Sequence, residues 1–206
     1  SEFGEYPEML PFTKNYFDKT LIEGAVGNIK PSKEWTDEFL NWFDTKFHTQ
    51  ARKMLPNIGY EWWRKGNATG EIFGGAIPSV NHLLGTGYEI NFKNKIFFID
   101  LPEGNNPGEN LSLADVDSYL ADLFNTDIFK QIKGLVIGRP YGYKDDKEKY
   151  NQLREITMNY TKGTNYPILF NADFGHTSPM IIIPIGAKVE LDSKKNKFEI
   201  KKGFLN

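Results

Sequence analysis

The chain has 206 residues, of which 39% are hydrophobic, 25% charged and 15% aromatic, a composition typical of a globular protein and not of a disordered one. Its 25 basic and 27 acidic residues nearly cancel, so the net charge of -2 provides no general attraction for nucleic acid or an anionic membrane. The lack of cysteine excludes disulfides, zinc–thiolate sites and a cysteine nucleophile within this sequence, and it suits a cytoplasmic protein. No apolar run approaches the roughly 20 residues that a membrane span requires.

The N-terminal portion is rich in aromatic residues and is predicted to be helical. Aromatic residues recur at helical spacing over residues 11–22, which predicts a first helix. Ser32 is a favourable N-cap residue, so a second helix is predicted from there through Phe47, with acidic residues in its first turns. This second helix would carry an aromatic stripe: Trp35, Phe39, Trp42, Phe43 and Phe47.

The segment at residues 59–66 contains two adjacent tryptophans, Trp62 and Trp63. Its apolar residues follow neither the helical nor the strand period, so it is predicted to be a loop. Two such large side chains either pack inward or contact a ligand.

From residue 70 onward, apolar strands alternate with helices. Strands are predicted at residues 71–77, 95–101, 135–138 and 167–171, helices at 112–124 and 144–160, and a closing β-hairpin at 187–202. This alternation predicts a mixed α/β domain in which a partly parallel sheet is covered by helices and extended by an antiparallel hairpin.

Histidine provides the clearest candidate for chemistry. His48, His82 and His176 lack the spacing of metal ligands, so no metal site is predicted, and no nucleotide-cofactor motif is present. His176 follows the predicted strand at 167–171, where α/β proteins place ligand sites, although an exposed histidine without a role is the alternative. Asp100 ends another apolar strand and either pairs with a buried partner or caps a turn facing water. Together they predict a carboxylate that orients a histidine acting as general base. The nucleophile is missing, because no serine of the sequence lies in a nucleophile-elbow motif.

Several short motifs occur in an order that is typical of one family. They lie at residues 3–6, 10–13, 31–37, 74–75, 83–86, 95–100 and 171–179, followed by Pro-Ile-Gly at 184–186. This series resembles the C-terminal domain of the LD-carboxypeptidases, a family of serine peptidases, and most closely its microcin C7 self-immunity branch. The resemblance implies a swivelling β/β/α-type fold, with an interdomain linker and first helix at residues 1–30 and the C-terminal domain at 31–206.

The resemblance also implies roles for individual residues. His176 matches the general base of the family's catalytic triad and Asp100 its acid, while the serine nucleophile is expected on an N-terminal domain that this sequence does not contain. The family usually has Glu at the position of Asp100. Gly74 and Gly75 are expected to contact substrate, although Ala76 replaces the Asn that often follows them.

The implied function is that of the C-terminal half of a serine carboxypeptidase-like amide hydrolase. It would act on murein peptides or peptidyl-nucleotide antibiotics without a cofactor, and the isolated chain is expected to be inactive. The implied partners are the N-terminal nucleophile domain, a peptide or peptidyl-nucleotide substrate and, as an option, a second copy of the chain, with no nucleic acid and no membrane. A noncatalytic ligand-binding or dimerisation domain is the alternative.

Aromatic side chains favour the immunity branch, because a tryptophan ring can stack on a nucleobase. One of Trp62 and Trp63 is therefore expected to face the cleft that contains His176, while core packing is the alternative for both. Arg139 can bind an anionic group, but solvation at the surface is the simpler interpretation.

Overall fold

A mixed sheet organises the part of the chain that the computed structural model describes, residues 4–41, 43–106 and 108–202. Ten strands occur in these residues: β1 (Gly27–Ile29), β2 (Glu34–Trp35), β3 (Leu55–Pro56), β4 (Glu61–Arg64), β5 (Asn67–Ala76), β6 (Ile96–Asp100), β7 (Gly134–Gly138), β8 (Ile168–Ala172), β9 (Lys188–Asp192) and β10 (Lys197–Ile200). Strands β2 and β3 pair with each other, and the other eight form one sheet in the order β1-β10-β9-β5-β6-β7-β8-β4.

Helices connect the parallel strands. The described residues contain α1 (Pro11–Phe17), α2 (Ile77–Asn81), α3 (Leu113–Asn125), α4 (Ile128–Gln131) and α5 (Lys147–Tyr160). Helix α1 continues as a π-helical turn at Asp18–Ile22. The longer helices begin at side-chain caps, since Ser112 accepts a hydrogen bond from a backbone N–H of α3 and Asp146 accepts two from α5. No helix in the described ranges is both long and apolar enough to cross a bilayer.

Strand β5 joins two differently built halves of the sheet. Its first half pairs antiparallel with β9, whereas its second half pairs in parallel with β6. Strands β6, β7 and β8 continue this parallel arrangement. The residues that follow these parallel strands consequently gather at one edge of the sheet, where α/β proteins form their ligand sites.

Alternate residues of the parallel strands fill two separate cores. On β6, Phe97 and Ile99 pack in the core formed with α2, α3 and α5, whereas Ile96 and Phe98 pack on the other face with residues of α1, β9 and β10. All five residues of β6 are buried. Burial on both faces explains why this strand reads as a continuous apolar run.

The predicted α/β organisation is confirmed. The predicted strands, the helices beginning near residues 112 and 144 and the C-terminal hairpin are all present. Helix α1 and its π-helical extension together cover the predicted first helix. These elements have strong local signals, namely continuous apolar runs, caps and a polar turn.

The predicted second helix is wrong. Residues 34–35 form β2, a single 3-10 turn occupies Thr45–His48, and Trp42 lies outside the described residues. The Ser32 side chain does not cap a helix, because its hydroxyl donates to Oδ1 of Asp173 at 2.7 Å. A hydrogen bond to a distant buried carboxylate has replaced the local one that the N-cap pattern predicts.

The predicted loop at residues 59–66 is also wrong in its centre. Glu61–Arg64 forms the edge strand β4, which pairs antiparallel with β8. The register of this pairing shifts between Trp62 and Arg64. Such an irregularity disturbs the alternation by which a strand is recognised in a sequence.

Candidate active site

Asp100 and His176 are in direct contact at the edge of the sheet. The Nδ1 atom of His176 lies 2.6 Å from Oδ2 of Asp100. Asp100 is the last residue of β6 and is 5% exposed, whereas the side chain of His176 is 44% exposed. The carboxylate therefore orients the imidazole through Nδ1 and leaves Nε2 for proton exchange with a ligand.

The contact changes the acid–base properties of the imidazole. The hydrogen bond that the imidazole donates to Asp100 is the largest influence and raises the pKa of His176 above its usual value of 6.5. Partial burial of the ring opposes this increase, while the negative charges of Asp100 and Glu103 add to it. An imidazole held by a carboxylate at one ring nitrogen can exchange a proton with a bound group through the other.

Glycine at position 175 permits this close approach. Gly175 has a φ of +106°, a region that residues with side chains rarely adopt. A β carbon on Gly175 would overlap Oδ1 of Asp100. The loop thus brings its backbone against the carboxylate, and His176 follows directly.

A cavity of about 480 Å³ lies beside His176. Four of its described lining residues are acidic: Glu5, Asp37, Glu38 and Glu103. The basic residue in its wall, Arg52, forms an ion pair with Glu5 and donates a hydrogen bond to the Ser178 hydroxyl at 2.6 Å. The cavity wall therefore has an excess of negative charge.

Tyr141 adds a neutral phenol to the same wall. Burial raises the pKa of Tyr141 to about 12, and the nearby carboxylates Glu103 and Asp37 contribute to the increase. The phenol consequently keeps its proton at neutral pH. Neither Tyr141 nor Arg52 is recognisable as a site residue in the sequence, because each depends on contacts between distant segments.

The chain resembles known proteins both in sequence and in fold. Residues 69–191 match the family described as the LD-carboxypeptidase C-terminal domain. This chain belongs to that family. A Treponema pallidum (strain Nichols) protein, named as a candidate carboxypeptidase, is 33% identical to this chain over 89% of the chain and 50% of the relative. The microcin C7 self-immunity protein MccF of Escherichia coli is 22% identical over 99% of the chain and 57% of the relative. The chain spans about half the length of the curated relatives it matches.

Solved structures show the same fold. An MccF-like protein from Bacillus anthracis str. Ames has a TM-score of 0.75 at 30% identity, covering 94% of this chain and 56% of its own. An MccF-like protein from Streptococcus pneumoniae, in complex with AMP, has a TM-score of 0.79 at 22% identity, covering 95% and 59%. MccF in complex with glutamyl sulfamoyl guanosine has a TM-score of 0.80 at 23% identity, covering 100% and 59%. The family and the fold inferred from the motifs are confirmed.

The two adjacent tryptophans of this LD-carboxypeptidase domain do not contribute to the cavity. Trp63 is 4% exposed and stacks on Phe170, while the indole N–H of Trp62 donates to Asn196 at 2.8 Å, in the turn between β9 and β10. Among the described residues, neither lines the cavity beside His176. The expectation that one ring faces it is not met, because successive residues of β4 pack into the two cores on opposite faces of the sheet.

The paired glycines lie at the end of β5. A β carbon on Gly74 would overlap the carbonyl oxygen of Phe98, so close packing against β6 accounts for this glycine. A β carbon on Gly75 would meet only Val80, at 3.7 Å. Neither glycine is among the described residues that line the cavity, and their contact with substrate stays a prediction.

Arg139 is a buried residue, so its expected position at the surface is wrong. Its side chain is 0% exposed, and Nη2 lies 2.7 Å from Oδ1 of Asp173, which is also 0% exposed. Nε donates to Oδ1 of Asn171 at 3.0 Å, and the guanidinium lies over the Trp35 ring at 5.0 Å. The sequence signal for Asp173 is its place directly after a buried strand and shortly before His176.

Proposed function

We propose that this chain supplies the general base and its orienting carboxylate to a serine-type carboxypeptidase, whose nucleophile lies on an N-terminal domain of the same protein. The observation that carries the proposal is the 2.6 Å contact between Nδ1 of His176 and Oδ2 of Asp100 beside a cavity of about 480 Å³. Membership in the LD-carboxypeptidase family supports it.

His176 would transfer one proton from the serine to the leaving amine, and Asp100 would orient the ring while it does so. Asp100 holds the proton on Nδ1, so Nε2 can take the proton of the serine hydroxyl while the oxygen attacks the amide carbonyl. The same Nε2 then donates this proton to the departing amine. The carboxylate stabilises the imidazolium formed between the two steps, which is consistent with the raised pKa of His176.

The charge of the cavity favours one of the two substrate classes. Arg52 is paired with Glu5, whereas Asp37, Glu38 and Glu103 leave the wall negative. Such a wall repels the phosphate of a peptidyl nucleotide, and it can pair with the free amino groups that a murein peptide carries beside its carboxylates. With Trp62 and Trp63 packed elsewhere, their stacking no longer supports a nucleotide substrate, so we place the murein peptide first.

The test uses the chain joined to, or mixed with, the nucleophile domain. Release of the terminal amino acid from a murein tetrapeptide and cleavage of a peptidyl adenylate analogue are measured in parallel. We expect His176→Gln and Asp100→Asn each to reduce kcat by about 10²–10⁴-fold, the range for loss of a general base. His82→Gln is the control, because His82 is an exposed residue outside the cavity.

Each outcome has a defined meaning. Full turnover in His176→Gln contradicts the assignment of the general base. Ligand binding by the wild type without any turnover supports the noncatalytic alternative instead. The chain alone should bind peptide weakly and hydrolyse nothing, and turnover that disappears when a serine of this chain is replaced would contradict the two-domain arrangement.

A further inference from the structure

The loop that carries His176 is held at both ends by one distant segment, residues 32–36. At the start of the loop, the two carboxylate oxygens of Asp173 accept hydrogen bonds from the backbone N–H of Ser32 at 2.8 Å and from its hydroxyl at 2.7 Å. At the end, Ser178 and Thr36 exchange two backbone hydrogen bonds of 2.7 and 2.9 Å. His176 lies between these two anchors.

A buried ion pair connects the first anchor to the sheet. Arg139 follows β7, and Asp173 follows β8, so their 2.7 Å contact links the ends of two neighbouring parallel strands. Burial of both charges is unfavourable unless hydrogen bonds compensate, and a well-packed apolar pair is often at least as stable. Such a pair is therefore weak evidence for a stabilising role. Its directed hydrogen bonds do define one arrangement of the loop relative to the sheet.

The loop requires such a constraint. Gly175 adopts a left-handed φ of +106° and lies against Oδ1 of Asp100, which is buried and has no hydrogen-bond partner among the described residues. Among the described residues, no hydrogen bond to Oδ1 of Asp100 holds the backbone of Gly175 in this position. The loop is therefore held there by the contact between His176 and Asp100 or by bonds to other segments.

We propose that Asp173, Arg139 and Ser32 are positioning residues that hold the loop so that His176 stays within hydrogen-bonding distance of Asp100. None of the three lines the cavity among its described residues, so they act through the loop and not on the substrate. Their catalytic consequence rests on the proposed function of His176, whereas the positioning itself does not.

The pKa of His176 reports the positioning directly, and it is measured by NMR titration of the imidazole in the intact chain. Ser32→Ala removes one hydrogen bond to Asp173 and changes no charge, so an effect on the pKa reports geometry. Asp173→Asn removes the ion pair as well. Thr157→Val is the matched control, because it removes a different buried hydroxyl, bonded to the Leu153 carbonyl at 2.8 Å in α5.

We expect the pKa of His176 to fall toward its usual value in Ser32→Ala and to fall further in Asp173→Asn. Thr157→Val should lower Tm and leave the pKa of His176 unchanged. An unchanged pKa in folded Ser32→Ala overturns the proposal, and this variant decides alone if Asp173→Asn does not fold. In the two-domain protein, kcat should fall about 10–100-fold in Ser32→Ala with KM unchanged, as misplaced catalytic groups predict. If His176→Gln proves fully active, the proposed function fails, yet the pKa comparison still tests the positioning.

Discussion

The indole of Trp63 stacks on the ring of Phe170, with centroids 4.3 Å apart and planes inclined by 17°. Phe170 in turn meets Tyr150 of α5 edge-on, with centroids 5.0 Å apart. These three rings connect the edge strand β4 to the central sheet and to a covering helix. Trp63 is therefore a structural residue of the larger core.

Replacement of Trp63 should affect stability and not substrate binding. Trp63→Ala is expected to lower the free energy of unfolding by about 3–5 kcal/mol, because it leaves a large cavity against Phe170. Trp62→Ala is the comparison, and its loss should be smaller because that ring is only half-buried. Urea denaturation measures both. Equal losses, or a selective rise in KM for a nucleotide substrate, would contradict this interpretation.

The two adjacent glycines of β5 should differ in their tolerance of a methyl group. Gly74→Ala forces a β carbon into the carbonyl of Phe98 and should destabilise the domain by about 1–3 kcal/mol, as overpacking does. Gly75→Ala meets only an ordinary contact with Val80 and should leave stability nearly unchanged. Thermal denaturation distinguishes them. A rise in KM for folded Gly75→Ala would support its predicted contact with substrate, whereas equal destabilisation of both variants would refute the packing argument.

Gly175→Ala should separate His176 from Asp100. The added methyl group would overlap the carboxylate, so we expect the pKa of His176 to fall toward 6.5 and turnover of the two-domain protein to be lost. Gly163→Ala is the matched control, since Gly163 also has a positive φ of +81° but a β carbon there would meet nothing within 4 Å. In both variants the alanine at positive φ costs roughly 1–2 kcal/mol, and only the first should move the pKa of His176, as measured by NMR.

The raised pKa of His176 predicts how stability depends on pH. A raised pKa means that the folded state binds the proton more tightly, so the contribution is complete below the unfolded value of about 6.5 and is lost as pH rises through the folded pKa. The difference in unfolding free energy between wild type and Asp100→Asn should therefore decrease from pH 6 to pH 9, measured by urea denaturation at about those two values. If the difference in unfolding free energy increases from pH 6 to pH 9, the pKa of His176 is not raised by Asp100 in the folded state.

The parts of the fold that the sequence predicts are those with local signals. Strand β6 is a continuous apolar run, and Ser112 with Asp115 marks the start of α3. The proximity of Asp100 to His176 follows from their places at strand ends and from the family resemblance. Parallel strands bring such positions together, which is why 76 residues of separation do not hide the contact.

The segment between residues 32 and 58 could not be predicted because its structure depends on distant partners. Ser32 bonds to a carboxylate 141 residues away, and Trp35 lies over the guanidinium of Arg139. The local pattern of a serine followed by regularly spaced aromatic residues is the same whether or not such distant partners exist. The burial of Arg139 escapes prediction for the same reason, since only the fold shows that Asp173 accompanies it into the core.

The outer strands of the sheet have consequences for how the chain is made. Gly27 of β1 lies opposite Ile200 of β10, and Glu61 of β4 lies opposite Phe170 of β8. Both outer strands come from the first third of the chain and find their partners near its other end. During synthesis they leave the ribosome long before those partners exist, and unpaired strand edges associate readily with other chains. The domain can therefore complete its sheet only after nearly all of it has been translated.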